Sequence, residues 1–304
     1  MRVFVTGATG FIGSAVVREL LAAKHEVLGL ARSDQGAASI IAAGAQVQRG
    51  DLNDLDSLQN GAAESDGVIH TAYNHDFTVS RADAALADRR AIAAMAEALA
   101  GSNRPLVITS GTGVRAAGRI ASEDTLPSSD PTGRFANEQA ASAFVERGVR
   151  TVVVRFPPSV HGRGDHGFVP ILINIARSKG ISAYPGDGLN RWPAVHRLDA
   201  AHLFKLAVES APAGARLHGV GDEGVPVREI AEMIGQHLNL PVHSISHEEA
   251  GNHFGFLGAL FSLDCPASSV LTQKLLGWHP VQPGLIADLD DGHYFQPAPA
   301  MASR

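Results

Sequence analysis

The sequence predicts an α/β protein with a doubly wound parallel sheet and a smaller C-terminal lobe. Two observations predict the sheet: a glycine-rich strand-to-helix junction at the N-terminus, and apolar, β-branched runs that alternate with helical stretches up to residue 158. From residue 159 onward, short apolar runs separated by Gly/Pro turns replace that alternation and predict the lobe. The predicted parts are a larger domain at 1–158 with a return segment at about 192–221, a lobe at 159–191 and 222–296, and a flexible tail at 297–304.

The N-terminal junction joins a buried strand to a helix through three glycines. The apolar run 1–6 predicts the strand, and apolar residues at helical spacing predict a helix over 11–23. Gly7 permits a tight turn, Gly10 lets a pyrophosphate approach backbone N–H groups, and Gly13 lets the helix lie close to the strand. Because the first N–H groups of a helix attract anions, the junction predicts a phosphate-binding loop.

The spacing Thr6-Gly7-x-x-Gly10-x-x-Gly13 resembles that of the extended short-chain dehydrogenase/reductase superfamily, and the resemblance covers nearly all of the chain. It implies a Rossmann-type sheet, a bound nicotinamide dinucleotide, and hydride transfer to or from the nicotinamide. Members of the superfamily also use this transfer on the way to epimerisation or dehydration. The resemblance therefore predicts the cofactor more specifically than the reaction.

The second predicted strand, 26–33, ends in residues that bear on the choice of cofactor. An acidic residue at this end would accept hydrogen bonds from the ribose of NAD, whereas Arg32 and Ser33 offer donors to the 2′-phosphate of NADP. Asp34 opposes this interpretation, and a solvated loop charge is the alternative for Arg32. We expect NADP, with NAD less favoured.

The third predicted strand, 46–52, ends in Asp51-Leu52, which is similar to the adenine site of the superfamily. By that resemblance the Asp51 carboxylate accepts from the adenine amino group and Leu52 packs on the ring. A short helix over 54–60 should follow and lead to the next strand.

The fourth predicted strand, 67–72, is the edge that the resemblance places beside the cofactor ribose, through Thr71 and Ala72. Tyr73, Asn74 and His75 follow directly and would face the nicotinamide end, although polar loop residues are also ordinary surface.

The remaining alternation completes the predicted sheet. One Ala-rich stretch without Gly or Pro is long enough for the crossover helix that parallel strands require, and a Gly-, Ser-, Asp- and Pro-rich loop at 115–133 should cover the active site. The predicted elements are a helix at 82–100, a strand at 105–110, a helix at 132–147 and a strand at 149–156.

Three later segments also resemble the superfamily. Residues 192–201 resemble the segment that returns a helix to the main domain, 217–221 the late strand after it, and 274–280 the signature near the C-terminus. Residues 227–238 show the apolar spacing of an amphipathic helix.

The usual general acid of the superfamily is absent. Most members place a Tyr-x-x-x-Lys pair on the helix after the fifth strand, where the tyrosine transfers the proton and the lysine lowers the tyrosine pKa and holds the ribose. Aligning Glu138 and Arg155 with the superfamily pattern puts Asp130 at the tyrosine position and Arg134 at the lysine position. Residues 74–183 contain no tyrosine, so the chain is similar to atypical members.

Four other residues are candidates for the catalytic roles. His161 lies where the chain enters the lobe, and histidine is the side chain whose ordinary pKa is closest to neutral pH. Thr112 could hydrogen-bond the substrate, as could Tyr73, while Arg134 could hold the ribose but, being always protonated, cannot shuttle protons. The alternatives stay open: a structural histidine for His161, a turn former for Thr112, and a helix cap for Asp130.

Composition excludes several other classes. The balance of 25 basic and 31 acidic residues gives −6 with no basic block, which predicts a small-molecule partner rather than nucleic acid or a membrane surface. The single cysteine, Cys265, cannot form an internal disulfide and suits a reducing cytoplasm. The histidines between 237 and 253 lack metal-ligand spacing, and no Gly-x-Ser-x-Gly elbow supports a hydrolase.

The sequence therefore predicts a cytoplasmic NADPH-dependent oxidoreductase, a monomer or homodimer, acting on a small carbonyl, imine or enone. The alternatives are a dinucleotide-binding sensor without catalysis, and an isomerase or cyclase that keeps the cofactor as a scaffold. The expected cofactor contacts are Gly7, Thr9, Gly10, Phe11, Ile12, Gly13, Arg32, Ser33, Asp51, Leu52, Thr71, Ala72, Ser110 and Arg134. The expected catalytic residues are His161, Thr112, Arg134 and Tyr73.

Overall fold

Apolar, β-branched runs form the strands of the chain, and Gly, Pro and Asp turns bound them. A computed structural model describes residues 1–74, 79–113, 119–126 and 133–296. The strands are β1 (Arg2–Thr6), β2 (Glu26–Ala31), β3 (Gln46–Arg49), β4 (Gly67–His70), β5 (Pro105–Gly111), β6 (Arg150–Phe156), β7 (Ser159–His161), β8 (Ser182–Pro185), β9 (Arg191–His196), β10 (Arg216–His218), β11 (Asp222–Pro226) and β12 (Val242–Ile245).

The helices mostly follow strands, as expected for crossover connections. They are α1 (Phe11–Ala22), α2 (Asp34–Ala42), α3 (Leu55–Ala63), α4 (Arg81–Leu99), α5 (Arg134–Ser142), α6 (Phe168–Lys179), α7 (Arg197–Ser210), α8 (Val227–Leu238), α9 (His247–Phe254), α10 (Gly258–Phe261), α11 (Val270–Leu276) and α12 (Leu285–Asp290). A single 3₁₀ turn, Gly255–Leu257, joins α9 to α10.

The predicted doubly wound parallel sheet is confirmed. Within the described residues its seven strands run in the order β10-β6-β5-β4-β1-β2-β3, and every neighbouring pair is parallel. Helices α1 and α7 cover one face, and α3, α4 and α5 cover the other. Because all strands point the same way, the ends of β1, β4, β5 and β6 meet at one edge.

The smaller lobe is built on two short sheets, β11-β9-β7 and β12-β8. Helices α6, α8, α9 and α12 enclose its apolar core, in which the Trp192 and Phe261 rings meet edge to face with centroids 5.0 Å apart. The return segment is divided between the two parts: β9 pairs with β7 and β11, whereas α7 packs on α1 and β10 joins the main sheet.

Several element predictions differ from the structure. The second and fourth strands, predicted at 26–33 and 67–72, end at Ala31 and His70, so Arg32, Ser33, Thr71 and Ala72 follow the strands. The third strand ends at Arg49 because Gly50 adopts φ +150° and turns the chain, so Asp51 and Leu52 follow the strand. The predicted helix at 132–147 is helical only from Arg134 to Ser142 and continues as turns. Helix α2 was not predicted, although Ser33 is a recognisable N-cap whose hydroxyl accepts from the Gly36 N–H at 3.1 Å. The tail at 297–304 lies outside the described residues.

Candidate active site

The three glycines of the N-terminal loop have different local requirements. Gly7 adopts φ +67°, and a Cβ on it would lie 2.6 Å from the Thr71 hydroxyl. A Cβ on Gly13 would lie 2.0 Å from the Gly7 carbonyl oxygen. These two glycines are therefore required by the packing of α1 against the loop.

Gly10 is less constrained than the other two. Its φ of −74° and ψ of 174° suit any residue, although a Cβ would lie a tight 3.1 Å from the Gly7 carbonyl oxygen. Gly10 is exposed at the N-terminus of α1, where helix N–H groups attract anions. An exposed glycine with ordinary backbone angles at an open helix N-terminus fits the close approach of a pyrophosphate. The loop therefore fits a dinucleotide.

The adenosine end of the predicted site lies where β2 and β3 end. Arg32, Ser33 and Asp51 are exposed, and Leu52 is half-buried. The Ser33 hydroxyl caps α2 as an acceptor, which leaves its proton available to a ligand. The Asp51 carboxylate accepts from the Asn53 N–H at 2.7 Å and keeps acceptor capacity for an amino group.

The end of β4 is tied directly to the glycine loop. The Thr71 hydroxyl donates to the Thr6 carbonyl at 2.8 Å, and the Ala72 N–H donates to the Thr6 hydroxyl at 3.3 Å. Half-buried Tyr73 follows, whereas His75 lies outside the described residues. The expected ribose edge and the phosphate loop thus form one continuous surface.

Behind this surface is a buried polar chain that sequence reasoning missed. The Thr6 hydroxyl lies 2.7 Å from His70 Nδ1, and His70 Nε2 lies 3.0 Å from Asp88 Oδ1. Asp88 Oδ2 accepts from Asn137 Nδ2 at 2.6 Å, so the chain links the glycine loop to α5. A signal was present: Asp88 recurs at helical spacing with the apolar residues Ala84 and Ala91, which marks it as core-facing.

At the end of β5, Ser110 and Thr112 are buried and their hydroxyls have no partner among the described residues. The Thr112 N–H donates to the Phe156 carbonyl at 2.9 Å, so its position beyond the strand is fixed by β6. The Ser159 hydroxyl, at the start of β7, is likewise buried without a partner in that part of the chain. Buried polar atoms normally have a partner, so these hydroxyls fit contact with a ligand.

Helix α5 begins at Arg134, the residue aligned with the lysine of the Tyr/Lys pair. Asp130, which precedes the helix, and the Arg134 side chain lie outside the described residues. One turn after Arg134, Glu138 forms a buried bidentate pair with Arg155 of β6, with Nε to Oε1 at 3.0 Å and Nη2 to Oε2 at 2.7 Å. The two residues used for the alignment are in contact, and the assignment of Asp130 and Arg134 to the missing pair stays a prediction.

The same guanidinium holds the segment after β5. Arg155 Nη1 donates to the Thr125 carbonyl at 3.1 Å, and Glu123 accepts from both the N–H and the hydroxyl of Thr272 at 2.7 Å. His218 of β10 lies on the neighbouring strand, paired with Arg155, and its Nδ1 is 2.9 Å from the Ser268 carbonyl. Burial lowers the pKa of His218, against the opposing effect of Glu123.

His161 is fully buried at the end of β7. Its Nδ1 lies 2.8 Å from Asp288 Oδ2, and its Nε2 has no partner among the described residues. His293 Nε2 lies 3.0 Å from the other oxygen of Asp288. Burial alone would raise the pKa of Asp288, but the hydrogen bonds from His161 and His293 hold it below its usual range.

An ionised Asp288 fixes the proton positions on His161. The carboxylate only accepts, so Nδ1 carries the proton, and Nε2 is an acceptor in neutral imidazole and a donor in imidazolium. The ring centroid of His196 lies 5.4 Å from that of His161, with the rings edge to face. Burial lowers the pKa of His196, and the electrostatic effect of His161 lowers it further. The geometry is that of a carboxylate-oriented histidine with one free nitrogen.

Arg197, the first residue of α7, links the glycine-loop helix to the lobe. Its guanidinium lies 4.6 Å from the Phe11 ring centroid, and its Nη2 donates to the Ser14 hydroxyl at 3.2 Å. Its Nη1 donates to the Arg163 carbonyl at 2.8 Å, in the loop after His161. Half-buried Ile12 packs against the apolar core between α1, α7 and the main sheet. Arg197 therefore joins the lobe to the predicted cofactor site.

Metal ligands, a reactive thiol and membrane-spanning helices are three further features that could point to a function. Within the described ranges no group of three or more His, Cys, Asp or Glu side chains could hold a metal ion. Cys265 is buried, which raises the pKa of its thiol to about 12. In the same ranges, none of the helices combines the length and apolar character of a membrane span.

Known proteins match this chain over most of its length. The model of the NAD dependent epimerase/dehydratase family matches residues 3–218. The Schizosaccharomyces pombe protein C2A9.02 is 51% identical over 296 residues, covering 97% of this chain and 100% of that protein. A Stigmatella aurantiaca protein named 4-hydroxy-2-methyl-3-oxo-4-farnesyl-3,4-dihydroquinoline-1-oxide ketoreductase is 30% identical over 226 residues, 70% of this chain and 66% of that protein. The structure of MoeE5 in complex with UDP-glucuronic acid and NAD superposes with a TM-score of 0.73 at 25% identity, covering 95% of this chain and 96% of that one.

Proposed function

Because the chain belongs to the NAD-dependent epimerase/dehydratase family, we propose that it is an NADPH-dependent reductase of a small organic carbonyl, imine or enone. The observation that carries the proposal is Gly10, an exposed glycine with ordinary backbone angles at the open N-terminus of α1. It fits a dinucleotide, and a bound reduced nicotinamide supplies hydride. Among the three substrate types, the ketoreductase relative favours the carbonyl.

The cofactor contacts are part of the proposal. The backbone N–H of Phe11, the first residue of α1, holds the pyrophosphate as it approaches past Gly10, and Arg32 and Ser33 hold the 2′-phosphate. Asp51 and Leu52 form the adenine site. The other proposed contacts are Gly7, Thr9, Ile12, Gly13, Thr71, Ala72, Ser110 and Arg134.

The catalytic assignment is a proposal as well. His161, as imidazolium held by Asp288, donates the proton from Nε2 while hydride adds to the carbonyl carbon, so that a ketone becomes an alcohol. The Thr112 hydroxyl donates a hydrogen bond to the carbonyl oxygen, and Tyr73 lines the same end of the cofactor. Arg134 orients the ribose and moves no proton, because a guanidinium stays protonated.

The domain division follows from these roles. Residues 1–158 and most of the return segment 192–221 bind the cofactor, and residues 159–191 with 222–296 bind the substrate. A sugar epimerase that uses the family tyrosine is disfavoured, because Asp130 aligns with that tyrosine, and an isomerase or cyclase that keeps the cofactor as a scaffold stays an alternative.

The test is consumption of reduced cofactor. NADPH and NADH fluorescence is followed with matched sets of ketones, imines and enones, using Gly10→Val as a matched inactive control. Loss of fluorescence with NADPH and a ketone, together with formation of the alcohol, is the expected result. Tight binding of NADPH with no turnover of any substrate set would refute the reductase and support the sensor.

A further inference from the structure

The exposed carboxylate of Asp34 is the feature of the cofactor site that conflicts with NADP. Its side chain is 99% exposed and lies two residues after Arg32, at the start of α2. A Cβ on Gly36 would lie 3.4 Å from the Thr9 side chain, so the start of α2 lies against the glycine loop. A negative charge in this position repels a phosphate on the ribose.

A second guanidinium, that of Arg49, lies on this carboxylate. Arg49 Nη2 donates to Asp34 Oδ1 and Nη1 donates to the Ser33 carbonyl, both at 2.7 Å. The two donors bind consecutive residues of the turn between β2 and α2. Arg49 thus pairs with the charge that opposes NADP and also holds the backbone of Ser33.

The backbone of Arg49 is itself fixed, although its side chain is 52% exposed. Arg49 is the last residue of β3 and pairs with Ala31, the residue before Arg32. The Ser57 hydroxyl donates to the Arg49 carbonyl at 2.7 Å, and a Cβ on Gly50 would lie 2.1 Å from that hydroxyl. The guanidinium therefore starts from a rigid strand end.

We propose that Arg49 is a specificity-determining residue, which neutralises Asp34 and so permits the 2′-phosphate of NADP to bind beside Arg32. The inference rests on the proposed cofactor site and not on the proposed reaction. It predicts that loss of Arg49 lowers the affinity for NADPH relative to that for NADH, whichever cofactor the wild type prefers. Arg49 contributes through its charge, so Lys at this position retains most of the effect.

The experiment is a double-mutant cycle on the full chain, read by fluorescence titration of NADPH and NADH. Arg49→Met should weaken NADPH binding about 2- to 5-fold, the scale of an exposed ion pair, and change NADH binding less. Asp34→Asn should strengthen NADPH binding, and Asp34→Asn/Arg49→Met, which removes both charges of the pair, should bind NADPH about as tightly as the wild type. Added salt should reduce the effect of Arg49→Met.

Two controls accompany the cycle. Arg49→Lys should keep the wild-type ratio, and Arg147→Met, which breaks the exposed Arg147–Glu97 pair elsewhere, should leave both affinities unchanged. A ratio unaltered by Arg49→Met would overturn the proposal. A double variant as weak for NADPH as Arg49→Met would also overturn it, because Arg49 would then bind the phosphate itself. A normal cycle with no turnover of any ketone would refute the reductase and leave this inference standing.

Discussion

The polar groups at the carboxyl ends of the strands fall into two halves that differ in construction, one at β1 to β3 of the main sheet and the other at β5, β6 and the lobe strand β7. At the ends of β1 to β3 the groups expected to bind the cofactor, including Gly10, Arg32 and Asp51, are exposed, and the tight packing lies in the backbone of the glycine loop. At the ends of β5 to β7 the polar groups are buried side chains, and Thr112 Oγ1 and His161 Nε2 have no partner in the described part of the chain.

The difference shows where each half can accept change. We expect the first half to bind the cofactor through backbone N–H groups and exposed side chains. The shape of its loop depends on which residues lack a Cβ. In the second half, each buried polar group costs stability unless it is satisfied, so its unsatisfied atoms need another explanation. Mutations should therefore separate fold from function differently in the two halves.

The largest expected contrast lies within the glycine loop. Gly13→Val should destabilise the chain by more than the ~1–3 kcal/mol typical of overpacking, because its Cβ meets the Gly7 carbonyl at 2.0 Å. Gly10→Val should lose much less stability, because its Cβ lies 3.1 Å from the same oxygen, but should lose at least about 100-fold in dinucleotide affinity, on the scale of two hydrogen bonds to a charged phosphate. Thermal unfolding and cofactor titration measure the two effects. Normal binding by Gly10→Val would show that the loop is only a turn.

The next contrast tests the buried half. His161→Phe should lower kcat by ~10²–10⁴-fold, as for loss of a general acid, with cofactor affinity preserved. Asp288→Asn should also lower kcat, because it removes the carboxylate that holds His161 Nδ1 and orients the ring.

The matched control for this test is His253→Phe, which removes a half-buried imidazole whose Nε2 atom is buried without a partner among the described residues. That histidine lies on α9, beside the apolar core of the lobe, so kcat should stay unchanged. Full activity of His161→Phe on a true substrate would contradict the assignment of His161 and leave protonation to Tyr73, Thr112 or water.

The two halves were also unequally predictable from sequence. The glycine loop and the parallel α/β sheet follow from local spacing and alternation, which is why the fold class was predicted and confirmed. The burial of His161 against Asp288 depends on a contact over 127 residues, and the Thr6–His70–Asp88 chain joins three separate elements. Periodicity marks an element's buried face but not the partner that meets it.

The third contrast concerns the exposed half. Arg32→Ala should weaken NADPH binding by about 1.5–3 kcal/mol, the range for a hydrogen bond to a charged group, and leave NADH binding nearly unchanged. The measurement is a pair of titrations at one ionic strength, because exposed charges are screened by salt. Equal losses for both cofactors would remove the basis for expecting NADP.

The fourth contrast is one of pH and stability. Burial lowers the pKa of His218, so the folded chain keeps it neutral while the unfolded chain takes up a proton near the ordinary value of about 6.5. The free energy of unfolding should therefore fall as pH decreases below about 6.5, with up to ~1.4 kcal/mol per pH unit from this group. In urea unfolding at pH 5 to 7, His218→Gln should show a smaller slope than the wild type. An unchanged slope would contradict the neutral buried state of His218.

The smallest expected effect separates a ligand-binding hydroxyl from a structural one. Thr112 and Thr151 both have buried hydroxyls without a partner in the described ranges, but Thr112 follows the end of β5 whereas Thr151 is the second residue of β6, at the opposite edge of the sheet. Valine keeps the shape and removes the unsatisfied group, so neither variant should lose stability.

Only Thr112→Val should then change the kinetics of ketone reduction. Loss of one neutral hydrogen bond, ~0.5–1.5 kcal/mol, corresponds to about a 2- to 10-fold fall in kcat/KM. Thr151→Val should match the wild type in kcat/KM and in urea unfolding. If the two variants behave alike in both measurements, the Thr112 hydroxyl contacts no substrate and the residue serves as a turn former. If Thr112→Val is instead destabilised, its hydroxyl is satisfied within the fold, and the distinction between the two halves of the edge fails at this residue.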